Sequence, residues 1–101
     1  MAGSDHVVLA IEATTGEVVG FVTAVTDGVL SAHIPLLEVR PDFQGHGVGS
    51  ELMRRMLRRL SDHYMIDLLC DEEVMAFYER FGMTRATGMM GRNYDRKDGG
   101  R

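Results

Sequence analysis

The stretch Gln44-Gly45-His46-Gly47-Val48-Gly49 is where residue types and spacing first suggest chemistry. Three glycines in alternation let the backbone take positive φ and approach a ligand closely. A helical pattern starts immediately afterwards, so first-turn amides lack an intrahelical acceptor and the helix dipole favours negative charge. That combination suits a phosphate. A glycine-rich turn opening a helix can also be only a turn, so the neighbouring sequence has to decide. The dinucleotide fingerprint, Gly-x-Gly-x-x-Gly, does not match this spacing, and the triphosphate loop ending in Gly-Lys-Ser/Thr is absent.

The elements around this turn follow from periodicity. Val7 to Ala13 and Glu17 to Thr26 are rich in β-branched residues, with Thr14-Thr15-Gly16 between them as a hairpin turn. Asp27-Gly28 marks a second tight turn, and a third extended run goes from Val29 to Val39. Pro35 lies inside that run and cannot donate to a ladder, so pairing should break near it. After Pro41, Leu52, Met53, Met56, Leu57 and Leu60 recur at helical spacing, with Arg54, Arg55, Arg58 and Arg59 on the remaining arc. Tyr64 to Cys70 reads as a short buried strand, parallel to the third through a right-handed crossover. Asp71-Glu72-Glu73 suit the start of a second helix carrying Val74, Phe77, Tyr78 and Phe81, which Gly82 should end. A last strand, from about Met83 to Met90, would close the sheet. The expected fold is α/β (α+β): a three-stranded antiparallel meander, then strand–helix–strand–helix–strand in one mixed sheet.

The 101 residues fit one domain, 1–101, with its core over about 5–91 and a disordered tail at 92–101. Composition is that of a folding chain, 45% hydrophobic and 26% charged. Eleven basic against fifteen acidic residues leave a net charge of −4, which disfavours a general nucleic-acid partner. The sign is uneven: Arg40 is the sole cation through Ser50, whereas the remainder holds ten cations against nine acids. The arginine arc reads first as a solvated helix face. Cys70 stands alone, so no internal disulfide is available, and four scattered His offer no metal-ligand spacing. Cys70 reads as a small apolar filler rather than a nucleophile. No apolar run is long enough to cross a bilayer, and a cytoplasmic protein without a membrane partner is expected.

With these elements in place, the run from Leu37 to Gly49, Leu-Glu-Val-Arg-Pro-Asp-Phe-Gln-Gly-His-Gly-Val-Gly, resembles the acetyl-coenzyme A signature of the GNAT superfamily of N-acetyltransferases. That signature is Gln/Arg-x-x-Gly-x-Gly/Ala preceded by Val-x-Pro; Gln44, Gly47 and Gly49 match it. Phe77-Tyr78-Glu79-Arg80-Phe81-Gly82-Met83 is similar to the family's Tyr-x-x-x-Gly-Phe helix end, with Met83 in place of the aromatic. The resemblance implies that the third and fourth strands splay apart. The pantetheine arm of acetyl-CoA would enter the gap and bond to backbone groups near Leu37 and Val39. Its pyrophosphate would sit on amides of Gln44, Gly45, His46, Gly47, Val48 and Gly49, with Ser50 at the helix start. His46 itself reads as solvent-exposed.

The implied reaction is direct acetyl transfer to a primary amine in a ternary complex. It needs a neutral amine, a polarised thioester carbonyl and a protonated leaving thiolate. Tyr78 matches the family's tyrosine beside the sulfur, and a phenol can serve as the acid; packing between helix and sheet is its other reading. For the base, His33 and Glu38 are the candidates. A neutral imidazole can accept a proton through water, whereas Glu38 alternates onto the face opposite Leu37 and Val39 unless a bulge intervenes. The chain departs from the family at Asp71, where an Asn is usual, and at its start, where a strand and two helices normally precede the first hairpin. Either an open acceptor groove or a wall from a second subunit, hence a homodimer, would follow. The alternative function is a non-catalytic acyl-CoA-binding or regulatory module.

Overall fold

The structure, a computed structural model, describes residues 6–27, 30–89 and 91. Segment 1–5, Gly28 of the expected second turn, Val29 at the expected start of the third run, Met90 at the end of the expected last strand, and the tail 92–101 lie outside the described residues. The chain divides into two compact units, Met1–Asp71 and Glu72–Arg101.

The first unit carries a four-stranded sheet in the order β1 (His6–Ile11), β2 (Val18–Thr26), β3 (Ser31–Val39) and β4 (Met65–Asp67). The first three strands are antiparallel and β4 runs parallel to β3, as the meander and crossover predict. Gly16 takes φ +75° at the first turn, where its N–H donates to the Glu12 carbonyl at 2.8 Å. At the second, Asp27 Oδ1 accepts from the N–H groups of Leu30 and Ser31 at 2.8 and 3.1 Å.

Helix α1 (Val48–Arg59) lays Leu52, Met53 and Met56 on the sheet, and Leu60 at its C-terminus completes the apolar stripe. With Val8, Val22, Ala24, Ala32 and Ile34 they form the core of this unit. Gly20 permits the close approach: a Cβ there would lie 3.3 Å from the Leu52 side chain and 3.1 Å from the Glu38 carbonyl oxygen. The four arginines are exposed. Glu51 binds Arg55 at 2.8 Å and Arg54 at 3.5 Å, and Arg59 donates to the Val7 carbonyl at 3.3 Å.

The expected interruption at Pro35 is present. Thr23 pairs with Leu36 and Val25 with His33, so Ala24 stands opposite both Ile34 and Pro35. This bulge shifts the side-chain phase of β3: Ala32 and Ile34 are buried, whereas after it Leu37 and Val39 turn inward and Leu36 and Glu38 are exposed. Pairing with β4 covers only Ser31, Ala32 and His33 against Met65, Ile66 and Asp67. The strand expected over Tyr64 to Cys70 is therefore three residues long and not buried: Tyr64 is exposed, and Leu69 beyond it is too. Past His33 the bulged β3 offers no ladder in register for Leu68 to Cys70.

In the second unit a 3-10 turn (Glu72–Val74) leads into α2 (Met75–Glu79), so the helix expected from Asp71 is shorter and Val74 precedes it. Gly82, at φ +86°, ends this segment as expected, its N–H donating to the Glu79 carbonyl at 3.0 Å. Phe77 packs edge-to-face on Phe81, centroids 5.2 Å apart. Residues 83–89 form no strand. Arg85 is drawn back onto Glu79 by two contacts of 3.1 Å, and Gly88 weakens strand formation. Among the described residues no helix is long and apolar enough to cross a membrane.

Thr23, fully buried in the middle of β2, holds a side-chain hydroxyl with no hydrogen-bond partner among the described residues. Thr23→Val keeps the shape, removes that desolvated group and suits a strand, so it should raise unfolding free energy by about 1 kcal/mol. Urea denaturation followed by far-ultraviolet circular dichroism measures this; a loss of stability would show that the hydroxyl is bonded.

Candidate functional site

The site is built where β3 ends. Arg40 N–H donates to the Val19 carbonyl at 2.8 Å, and the Glu38 carbonyl also faces β2, beside Gly20. Backbone polar groups alternate along a strand, so those of Leu37 and Val39 face the other way, where β4 has already ceased to pair. Beyond His33, the β4-side edge of β3 thus holds main-chain donors and acceptors that the sheet does not use.

The two strands are fastened at the opposite end. Met65 N–H donates to the Leu30 carbonyl at 3.0 Å. The Thr26 hydroxyl donates to the Ser31 carbonyl at 2.9 Å and lies 2.6 Å from His63 Nε2. This clasp joins residues 37 apart in sequence, and no periodicity or motif could have revealed it.

From Val39 the chain enters a 3-10 turn (Pro41–Phe43) braced by Arg40. The guanidinium bonds Asp42 at 3.0 Å, reaches Glu17 at 3.5 Å and stands 5.4 Å from the centre of the Phe43 ring. The Asp42 hydrogen bond, above all, raises the Arg40 pKa. Gln44 then sends its side-chain Nε2 back to the Val39 carbonyl at 2.9 Å. Gly45 and Gly47 follow at φ +81° and +84°, and Gly47 is the N-cap of α1. It provides no side-chain cap, and a Cβ at either glycine would meet nothing within 4 Å. The loop therefore presents first-turn amides beside open space, which fits an anionic group at close range.

The structure brings Leu37, Val39, Gln44, Gly45, His46, Gly47, Val48, Gly49 and Ser50 onto one continuous stretch of strand, loop and helix start. His46 is exposed, as expected. His33 and Glu38 are also exposed, and the bulge sets both on the face of the sheet opposite α1. An odd spacing of five residues would separate them in a regular strand. Their partners on β2, Val25 and Phe21, are four positions apart, about 13 Å along the strand, so they are separate groups rather than a pair. Tyr78 belongs to the second unit, half-buried in α2 with its ring edge-on to Phe77, centroids 5.0 Å apart. Cys70 is half-buried.

Residues 2–83 match the Acetyltransferase (GNAT) family model. The chain belongs to the GNAT acetyltransferase family. Curated relatives include the uncharacterised N-acetyltransferase ycf52 of Gracilaria tenuistipitata var. liui, 36% identical over 72% of this chain and 42% of that protein. A ycf52-like protein of Prochlorococcus marinus is 37% identical over 65% of this chain and 38% of its own length. The chain thus spans about two-fifths of the curated relatives it matches. Among solved structures, a candidate acetyltransferase from Deinococcus radiodurans R1 superposes with a TM-score of 0.87 at 51% identity, covering 95% of this chain and 66% of that one. A GNAT-family acetyltransferase from Streptococcus pneumoniae TIGR4 gives 0.80 at 30% identity, covering 91% of this chain and 74% of that one. The mixed sheet and two helices are the architecture these GNAT structures share with the chain.

Glu51, in the first turn of α1, is drawn toward its arginines, the Arg55 hydrogen bond being the main reason its carboxyl titrates below the ordinary 4.5. A depressed carboxylate contributes stability above its unfolded value that is lost as pH falls through the folded one. A carboxyl-carbon NMR titration should give a Glu51 midpoint below that of a reference peptide, and Arg55→Gln should move it upward. An unmoved midpoint would assign the depression to another cause.

Proposed function

We propose that the protein transfers the acetyl group of acetyl-CoA to a primary amine within a ternary complex. The observation that carries this reading is a β3–β4 ladder, in a chain of this family, that ends at His33, with a turn of positive-φ glycines between β3 and α1. Acetyl-CoA would supply an activated acyl carbon and a thiolate leaving group. Leu37 and Val39 would hold its pantetheine arm through main-chain groups. The amides from Gly45 to Gly49, with Ser50 at the helix start, would take its diphosphate, with His46 on the rim; the expected Gln44 amide is already given to the Pro41 carbonyl at 3.3 Å.

The acceptor nitrogen must be neutral to attack. As its bond to the acyl carbon forms, the carbon–sulfur bond breaks, the nitrogen gives up a proton and the sulfur receives one. His33 or Glu38, on the outer face of β3, is the group assigned to take the first proton through water. Tyr78 is assigned to give the second, a role supported by its place in the helix-end motif rather than by measured geometry.

Calorimetry with acetyl-CoA, paired with a thiol-release assay over a panel of primary amines, tests the reading. Binding with turnover on an amine is expected. Binding without turnover on any amine would leave an acyl-CoA-binding module, and no binding would remove both. Gly47→Glu puts bulk and negative charge where the diphosphate must approach and should abolish binding while the circular dichroism spectrum is kept. Tyr78→Phe should lower kcat by about 100-fold with little change in acetyl-CoA affinity; an unchanged rate would return Tyr78 to packing.

A further inference from the structure

Resting on the acyl-CoA reading above, we propose that Gln44 is a positioning residue that sets the phosphate cradle in register with the backbone rail on β3, through its side-chain hydrogen bond to the Val39 carbonyl. The bond is 2.9 Å long and links the last gap-facing carbonyl of the strand to the residue at which the cradle begins. Two neighbouring contacts fix its ends. Arg40 N–H is committed to Val19, which turns the Val39 carbonyl away from β2, and Gln44 N–H is committed to the Pro41 carbonyl at 3.3 Å. The Gln44 side chain is therefore the bracket across a five-residue excursion whose two ends must serve one extended ligand.

A carbonyl oxygen has two lone pairs, so the bracket occupies one and leaves the other to the gap. Gln44 is exposed and fills no core position, so its loss should leave the fold intact. The consequence falls on ligands that touch both ends. A diphosphate alone needs only the cradle; an arm running on into the gap needs cradle and strand at a fixed separation, and preorganisation of that separation contributes to affinity.

The test compares coenzyme A with adenosine 3′-phosphate 5′-diphosphate, which carries the phosphates but no pantetheine. By calorimetry, Gln44→Met, similar in length but without a donor, should weaken coenzyme A by about 10-fold, the scale of one lost hydrogen bond. It should change the diphosphate fragment less than about 2-fold, the margin left when cradle contacts are intact. Gln44→Arg restores a donor within reach of the carbonyl and should recover most of the coenzyme A affinity. Equal loss for both ligands would make Gln44 a direct phosphate contact or a support of the cradle alone, and unchanged coenzyme A affinity would make the bond incidental; either result overturns the proposal. Failure of the unsubstituted protein to bind either ligand would instead remove the acyl-CoA reading, and this inference with it.

Discussion

The molecule's site depends on a proline in the middle of an interior strand. Pro35 has no N–H to give, and the bulge it shares with Ile34 sits one residue beyond the last β3–β4 pair. A ladder that continued past His33 would satisfy every backbone group between the two strands and leave a ligand nothing to bind. Because the ladder stops, the main-chain polar groups of Leu37 and Val39 stay outside it, which is where the proposed reading puts the pantetheine arm. The opening is confined to one end by the Thr26–His63 clasp and the Leu30–Met65 bond, which keep the strands joined at the other.

A site assembled from backbone groups depends on where the backbone is, so the side chains nearby act as braces. Arg40 is the clearest: its cation is neutralised by Asp42 and Glu17 and its plane lies near Phe43, leaving it as a fixed strut under the turn. Glu51 plays the corresponding part in the first turn of α1. Its negative charge would oppose a phosphate at the helix start, and Arg54 and Arg55 pair with it at 3.5 and 2.8 Å. Part of the arginine arc, which reads from sequence as a solvated face, is thus paired with Glu51 at the first turn of α1.

How much of this was legible in the sequence depended on the range of the interaction involved. The hairpins, the amphipathic helix, the parallel crossover and the interruption at Pro35 follow from local residue chemistry, and each is present. The turn before α1 was legible for the same reason, since positive φ at Gly45 and Gly47 is written in the glycines themselves. The length of β4 was not: Tyr64 to Cys70 has the composition of a buried strand, but its extent was set by how long β3 stayed in register, a property of another segment. Residues 83–89 show the same limit, where Arg85 turns back to Glu79 instead of joining a ladder. Gln44 was identified as a motif residue, yet its bond to a carbonyl five residues earlier is a matter of loop trajectory that composition does not record.

The phase shift at the bulge also bears on the chemistry. Had β3 been regular, His33 and Glu38 would project to opposite faces and at most one could serve an acceptor on the outer side. With one extra residue accommodated opposite Ala24, both project to the same face while Leu37 and Val39 turn toward the core. The single defect therefore performs two tasks: it leaves main-chain groups of β3 outside the ladder and sets two exposed polar side chains, His33 and Glu38, on one face. Deleting one residue between His33 and Leu36 would separate the two tasks: the bulge would go, yet an even spacing of four would keep the two side chains on one face of a regular strand.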